Sequence, residues 1–508
     1  MLDGTVFLKA YATFRSWQLN RLLPARAQER QLLSLVNKST QTKFGQDHGF
    51  SKIKSVADFQ SAVPLRKYES FWNEYWKEPF PILQDVTWPG KVPYFAVSSG
   101  TTAGATKYIP YTKEMTASNT KAGLDVLYWH LKNKPETKIL GGKNFILGGS
   151  TDLVKEAEGV YSGDLSGIST KELPWWIKPR YFPPPDLAFL SNWEEKIQKM
   201  SERSVKEDIR MISGVPSWMI IFFEKVQELY GDDQIEISKY FPNLEMIIHG
   251  GVNFQPYHQR FVEYLKGTNA ELREVYPASE GFIACADRNF GDGMRLLLDH
   301  GIFYEFVPLE ELESSTPTRH WIGNIEKDLN YAVVLSTCAG LWSYVIGDTV
   351  RFVDIDTPRV LITGRTSYYL SAFGEHLIAE EVDDGVTTAA SHIGKDITDY
   401  SMGAIYPENG RSLGGHLVFI EFVGDAPTSE ELKKFEEALD QKLCERNEDY
   451  RAHRAEGYGL LAPQVKVVPP GFFKKWMKSR GKLGGQNKVP RLISNQELFE
   501  QLQDFAKR

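Results

Sequence analysis

Apolar residues recur at spacings of three and four through residues 28–36 and 56–59, so residues 1 to about 90 read as a mostly helical segment without a repeat period. After Pro93 the pattern changes to a short apolar run at 94–97, a hydroxyl- and glycine-rich stretch at 98–107, and a second run at 108–111, which predicts strand, flexible loop, strand. Thr112 is placed to cap a helix running towards Lys132, with Glu114 in the first turn, where the helix dipole favours an acid. The Trp- and Pro-rich passage 171–185 cannot be a regular helix and is expected as an ordered surface loop, a candidate pocket wall.

Residues 205–350 alternate helical segments, such as 218–230, with short apolar runs, such as 246–248 and 331–335, the signature of an α/β layer. Beyond Gly364-Arg365 the pattern becomes smaller and α+β, with a strand at 416–423, a charged helix at 429–446 and a basic glycine-containing tail. The fold expected is α/β: a large N-terminal domain of mixed β-sheets flanked by helices over residues 1–370, and a small mobile α+β C-terminal domain over 371–508, with a hinge near 365–375.

Charge and cysteine usage narrow the function classes. With 59 Lys+Arg against 66 Asp+Glu the net charge is −7, so no global positive field draws the chain to nucleic acid. Three cysteines, Cys285, Cys338 and Cys444, stand far apart without metal-ligand spacing, which argues against a disulfide framework or a zinc site and fits a reducing cytoplasm. No apolar stretch approaches the ~18 residues of a membrane span. Asp3, Lys9, Arg15 and Arg21 break the continuous apolar region that an export signal needs. The segment 6–23, with basic residues among Phe, Leu, Tyr and Trp, is open to two readings, of which a helix packed on its own domain is plainer than one lying on a membrane.

Candidate chemistry begins with Ser98-Ser99-Gly100-Thr101-Thr102, where hydroxyls and unhindered N–H groups suit phosphate oxygens and Lys107 adds charge nearby. No GK[ST] follows at Walker spacing and a strand follows instead of a helix, so ordinary P-loop enzymes drop out. In Tyr276-Pro277-Ala278-Ser279-Glu280-Gly281, Glu280 lies at a strand end, where a carboxylate can help hold magnesium. In Tyr344-Val345-Ile346-Gly347-Asp348, the acid closes an apolar strand and can accept from both hydroxyls of a ribose. Gly364-Arg365 lies at the hinge, and Gly484-Gly485-Gln486-Asn487-Lys488-Val489-Pro490-Arg491 is a basic loop near the end. Singly these read as a hairpin loop, a solvated turn acid, a type I turn and an exposed basic face. Their order and spacing reproduce the pattern of adenylate-forming enzymes.

Within that luciferase-like superfamily the chain resembles the auxin-responsive promoter (Gretchen Hagen) family of acyl acid amido synthetases. The resemblance rests on the loop at 98–102, the Tyr-x-x-Ser-Glu of Tyr276 to Glu280, and Cys338-Ala339-Gly340-Leu341-Trp342 ahead of Tyr344 to Asp348. It is extended by Gly214-Val215-Pro216-Ser217-Trp218 and by Gln486 to Arg491; Ser371-Ala372-Phe373-Gly374-Glu375-His376, in place of the acidic stretch of plant members, looks like the bacterial-type branch.

The resemblance implies that Ser98, Ser99, Gly100, Thr101 and Thr102 hold the β- and γ-phosphates of ATP, that Tyr276 and Ser279 lie by the nucleotide with Tyr276 near the adenine, and that Asp348 binds the ribose. Glu280 would hold Mg2+, Lys488 would approach the α-phosphate, and Arg365 would contact ribose or phosphate as the small domain swings. The implied partners are a small carboxylic acid and an amino acid or other amine, joined through an acyl adenylate. An acyl-CoA ligase sharing the first step, and a non-catalytic nucleotide-binding protein, are the alternatives. Trp175, Trp176, Tyr181, Phe182 and Phe282 could wall an acyl pocket, and His249 could lie near adenine, but core packing explains all of them equally well.

Overall fold

Apolar spacing makes the N-terminal segment helical: α1 (Thr5–Leu19), α2 (Pro24–Lys38), which starts on a proline whose missing N–H would be unpaired there anyway, and α3 (Val56–Ala62), capped by Ser55. The structure is a computed structural model; it describes the chain except residues 1–2, 100–105, 149–152, 174, 176, 189, 191–192, 232–235, 252–253, 367–368, 371–376, 406–413, 448–449, 452–453, 455–459, 483–487 and 508. The two expected strands are seen as β1 (Tyr94–Ser99) paired antiparallel with β2 (Thr106–Tyr111), each two residues longer towards the hydroxyl-rich stretch than expected, with Ser98 opposite Lys107. Thr112 then caps α4 (Lys113–Asn133), its Oγ1 accepting the Met115 N–H at 3.1 Å.

The next stretch is wound as strand and crossover helix. In chain order it contains β3 (Lys143–Leu147), β4 (Leu153–Ala157), β5 (Val160–Gly163), β6 (Tyr181–Phe182), α5 (Trp193–Ser204), β7 (Ile209–Gly214), α6 (Pro216–Tyr230), β8 (Met246–Gly250), α7 (Gln255–Tyr264) and β9 (Glu271–Ala278). Strands β6, β3, β7, β8 and β9 lie side by side and parallel, because α6 and α7 return the chain to the same end each time. Alternate residues face opposite layers. Ile212 and Ile247 pack under α5–α7 with Phe222, Phe223 and Phe261, whereas Met211, Met246 and Val275 pack against Leu8 of α1 and Val126 and Trp129 of α4.

Past β9 the sheet turns antiparallel through β10 (Gly281–Cys285), β11 (Met294–Leu296), β12 (Ile302–Pro308), β13 (His320–Trp321), β14 (Asn330–Thr337), β15 (Tyr344–Asp354) and β16 (Arg359–Arg365). The whole order is β13-β12-β14-β15-β16-β11-β10-β9-β8-β7-β3-β6, while β2-β1-β5-β4 form a separate sheet. One expectation is corrected here: β15 does not end at Asp348 but continues to Asp354. Gly-Asp reads as a turn signal in sequence, yet the chain absorbs it as a bulge and keeps pairing.

The chain divides into Met1–Leu361 and Ile362–Arg508, the division falling inside β16. The second unit comprises β17 (Tyr369–Leu370), β18 (Leu377–Ile378), α8 (Ala379–His392), β19 (Ile397–Ile405), β20 (Gly415–Phe422), α9 (Ser429–Arg446), β21 (Gln464–Val468), α10 (Phe472–Ser479), β22 (Leu492–Ile493) and α11 (Gln496–Phe505). Its sheet runs β21-β20-β19-β22. In α10, Phe472, Phe473, Trp476 and Met477 point inward and Lys474, Lys475 and Lys478 face solvent, so much of the basic tail is one amphipathic helix.

Candidate active site

The β9–β10 hairpin turns at Ser279 and Glu280, leaving both side chains partly exposed beside buried Tyr276. Across the sheet, Thr349 opposes Ala332 but Val345 opposes Val334, so β15 carries extra residues against Val333. Gly347 sits in that bulge at φ +89°, a conformation that a side chain would strain. The bulge carries Asp348 to Tyr276, whose hydroxyl donates to the Asp348 Oδ2 at 2.6 Å. Tyr276 is only 5% exposed, its ring packed in the main core.

Glu280 is hydrogen bonded to the buried Tyr344 hydroxyl. Burial first, then the charges of Glu280 and Glu69, hold that phenol well above the usual tyrosine range, so it stays protonated and donates to the carboxylate. Tyr68 also lies close to Tyr344. Its hydroxyl accepts the Tyr108 N–H at 2.9 Å, and the Lys107 Nζ stands 5.5 Å from its ring centre. Tyr68 and Tyr344 therefore connect the arm of the hydroxyl-rich hairpin to Glu280, neighbours that no sequence spacing reveals. The hairpin is also tied down at its far end, where the Thr112 hydroxyl donates to the Cys338 carbonyl at 2.7 Å.

Ser98 and Ser99 end β1, opposite Lys107 and Thr106; Gly100, Thr101 and Thr102 lie outside the described residues. Among the described residues no three His, Cys, Asp or Glu side chains gather as a metal cage. The single carboxylate of Glu280 fits magnesium, which takes one or two protein acids and completes its shell with phosphate oxygens and water.

In the second unit, Arg365 ends β16 and Lys488 is exposed, three residues before Arg491. Arg491 is anchored: its Nη1 lies 2.7 Å from the Asp399 Oδ1, its Nε 4.0 Å from the Asp383 Oδ1, and its guanidinium carbon 4.4 Å from the Tyr400 ring centre. Its carbonyl accepts the Met402 N–H at 2.8 Å, and the Pro490 carbonyl accepts the Ser401 hydroxyl at 2.7 Å. Sequence reading placed Arg491 in the basic loop but missed this anchor, because its partners Asp383 and Asp399 stand far away in the chain, Asp383 within a run of acids.

The candidate aromatic walls separate. Trp175 is 83% exposed, while Phe182 is buried with its ring centre 4.9 Å from that of Phe145, as core packing. Tyr181 shares a hydrogen bond with Thr170, Phe282 packs beside the α1–α4 core, and Trp176 lies outside the described residues. His249 is buried and stacks on Phe254 at 3.5 Å, with burial pushing its imidazole down to about 3.

Comparison with known families decides the lineage. The GH3 family N-terminal domain matches residues 22–270, its central domain 295–365 and its C-terminal domain 380–497. The chain belongs to the GH3 family. The GH3 central domain holds β15 and Asp348, and the C-terminal domain holds Lys488 and its anchor. The indole-3-acetic acid-amido synthetase GH3.3 of Arabidopsis thaliana is 22% identical over 345 residues, 62% of this chain. That match takes in 56% of the relative, so the chain spans little more than half its length. GH3.4 of the same plant, also an indole-3-acetic acid-amido synthetase, is 21% identical over 550 residues, covering 93% of this chain and 89% of the relative. Among solved structures, the GH3.15 acyl acid amido synthetase superposes with TM-score 0.80 at 17% identity, covering 99% of this chain and 97% of that one. A 2-hydroxyisobutyryl-CoA ligase in its postadenylation state superposes at 0.61 with 14% identity over 94% of this chain and 91% of its own. At these identities the superpositions establish a shared fold.

Proposed function

We propose that this GH3 protein is an ATP-dependent acyl acid amido synthetase. A carboxylate oxygen attacks the α-phosphorus of ATP, pyrophosphate leaves, and an amine then attacks the acyl carbonyl, losing a proton as AMP departs. The observation that carries the reading is the Tyr276–Asp348 hydrogen bond on the strand next to the Glu280 turn, which groups three residues the family pattern assigns to nucleotide binding although 72 positions separate the bonded pair.

In this reading Asp348 accepts from the ribose hydroxyls, and Tyr276 keeps its carboxylate turned towards them. Ser98, Ser99, Gly100, Thr101 and Thr102 donate to the β- and γ-phosphates, with Ser279 alongside. Magnesium, when bound, offsets charge on the phosphates; Glu280 presents the carboxylate that would hold it, steadied by the Tyr344 hydroxyl. Residues 371–508 act as a lid that brings Lys488 to the α-phosphate, Arg365 at the hinge contacts the ribose or phosphates as the lid swings, and the Arg491 anchor limits how far the Lys488 backbone strays. The substrates are a small carboxylic acid and an amino acid or other amine.

The test is acid-dependent exchange of labelled pyrophosphate into ATP over a panel of aromatic and aliphatic acids, followed by mass spectrometry with amino acids or CoA added. Exchange with an acid and an amide product are expected. A thioester product alone makes the chain a CoA ligase, and ATP binding without exchange across the panel makes it a nucleotide-binding protein.

A further inference from the structure

Fourteen large apolar side chains stand exposed among the described residues, and five of them, Val6, Phe7, Phe14, Trp17 and Leu23, fall within the first 23 residues. On a helix of 3.6 residues per turn, Val6, Phe7, Ala10, Phe14 and Trp17 share an arc of about 100° on the outer side of α1. Phe7 is 81% exposed and Trp17 55%. The Phe14 and Trp17 rings stack with centres 6.1 Å apart, and the Arg21 guanidinium covers Trp17 at 4.3 Å.

The opposite side of the same helix is already in use. Leu8 joins the α4 core, Tyr11 donates to the Asp125 Oδ1 at 2.6 Å, and buried Arg15 pairs with Asp125 and Asp299, each at 2.6 Å. Arg15 thus sets the rotation of α1, so the outer arc is not a face that could turn inward. The helix is apolar on two sides, and among the described residues only one of them is packed against the rest of its unit.

Charge decides what the other side fits. Residues 4–28 contain no Asp or Glu and four basic residues, Lys9, Arg15, Arg21 and Arg26, in a chain whose net charge is −7. Lys9, Arg21 and Arg26 are exposed. We propose that the outer face of α1 docks on an anionic lipid bilayer, the helix lying in the interface plane with Phe7, Phe14 and Trp17 at the boundary between headgroups and acyl chains and Lys9, Arg21 and Arg26 at the headgroups. A second copy of the chain is the poorer occupant, because a two-fold contact would set this acid-free segment against itself.

The test is co-sedimentation of the full-length protein with vesicles of phosphatidylcholine alone or with about 30% phosphatidylglycerol, at about 0.1 M and about 1 M salt. The wild type should pellet with anionic vesicles and at least ~10-fold less with neutral ones or at high salt. A Phe14→Asp/Trp17→Ser variant should lose at least ~10-fold of that binding, and Lys9→Glu/Arg21→Glu should act likewise, both with unchanged melting temperature and pyrophosphate exchange. Equal binding by variants and wild type, or no wild-type binding to anionic vesicles, overturns the proposal. So does a wild-type dimer in size-exclusion chromatography that Phe14→Asp/Trp17→Ser splits without any vesicle binding.

Discussion

Tyr276 and Asp348 form a pair whose parts do unequal work. Removing the carboxylate by Asp348→Ala should weaken ATP by ~1.5–3 kcal/mol for each charge-assisted hydrogen bond lost, while Tyr276→Phe, which frees Asp348 to rotate, should cost only ~0.5–1.5 kcal/mol. Because both act on one carboxylate, the double variant should bind ATP no worse than Asp348→Ala alone. Titration calorimetry measures all three; additive losses would mean that Tyr276 contacts the nucleotide by itself. The Gly-Asp step was legible as a motif, but its partner was not, since the hydrogen bond depends on a bulge that appears only once β14 and β15 pair.

A second pair of residues opposes itself in pH. His249 and Glu274 are neighbours on β8 and β9, and burial pushes the imidazole down to about 3 and the carboxyl up to about 7. From its ordinary 4.5 up to about 7, the folded chain keeps a proton on Glu274 that the unfolded chain releases, so stability falls as pH rises through that window. From its ordinary 6.5 down to about 3, the unfolded chain binds a proton that His249 refuses, so stability falls as pH drops. Between 4.5 and 6.5 the two contributions cancel. Glu274→Gln should therefore lose stability on acidification below 6.5, and His249→Gln on raising the pH from 4.5 to 7, by up to ~1.4 kcal/mol per pH unit relative to wild type. Melting curves across that range that stay parallel for all three proteins would refute the pairing.

Among elements, α9 shows where local chemistry suffices. Its expected bounds, 429–446, are the observed ones, because Thr428 and Glu431 form a reciprocal capping box at one end and the alternation of charged and apolar positions stops at the other. By contrast, β15 was expected to stop at Asp348, because the same Gly-Asp that ends a strand in one context makes a bulge in another. The β22 edge next to Lys488 was not legible either, since its two residues, Leu492 and Ile493, pair with β19 about ninety positions earlier. That pairing gives a prediction at this scale. Lys488→Ala should slow adenylation by ~10²–10³-fold. Arg491→Ala, which leaves Lys488 intact but unanchored, should slow it by up to ~10²-fold with ATP affinity unchanged, and Arg491→Lys should restore part of the rate. A normal exchange rate in Arg491→Ala would show that the ion pairs with Asp383 and Asp399 serve only to hold the second unit together.

For the molecule as a whole, the α/β class could be read from the alternation of helical and strand patterns. The sheet order could not, because the switch from parallel to antiparallel at β9 depends on there being no crossover helix after Ala278, and on a hairpin only two residues long. One core joins Leu32 of α2 to Val360 of β16, and the cap of α4 rests on Cys338. During synthesis, then, the hydroxyl-rich hairpin emerges long before the carbonyl that steadies it. At ~5–20 residues per second the intervening chain takes tens of seconds to appear. Throughout that interval the helices of the N-terminal segment and their aromatic side chains await partners not yet synthesised, which makes the nascent protein a natural client of chaperones that shield apolar surface.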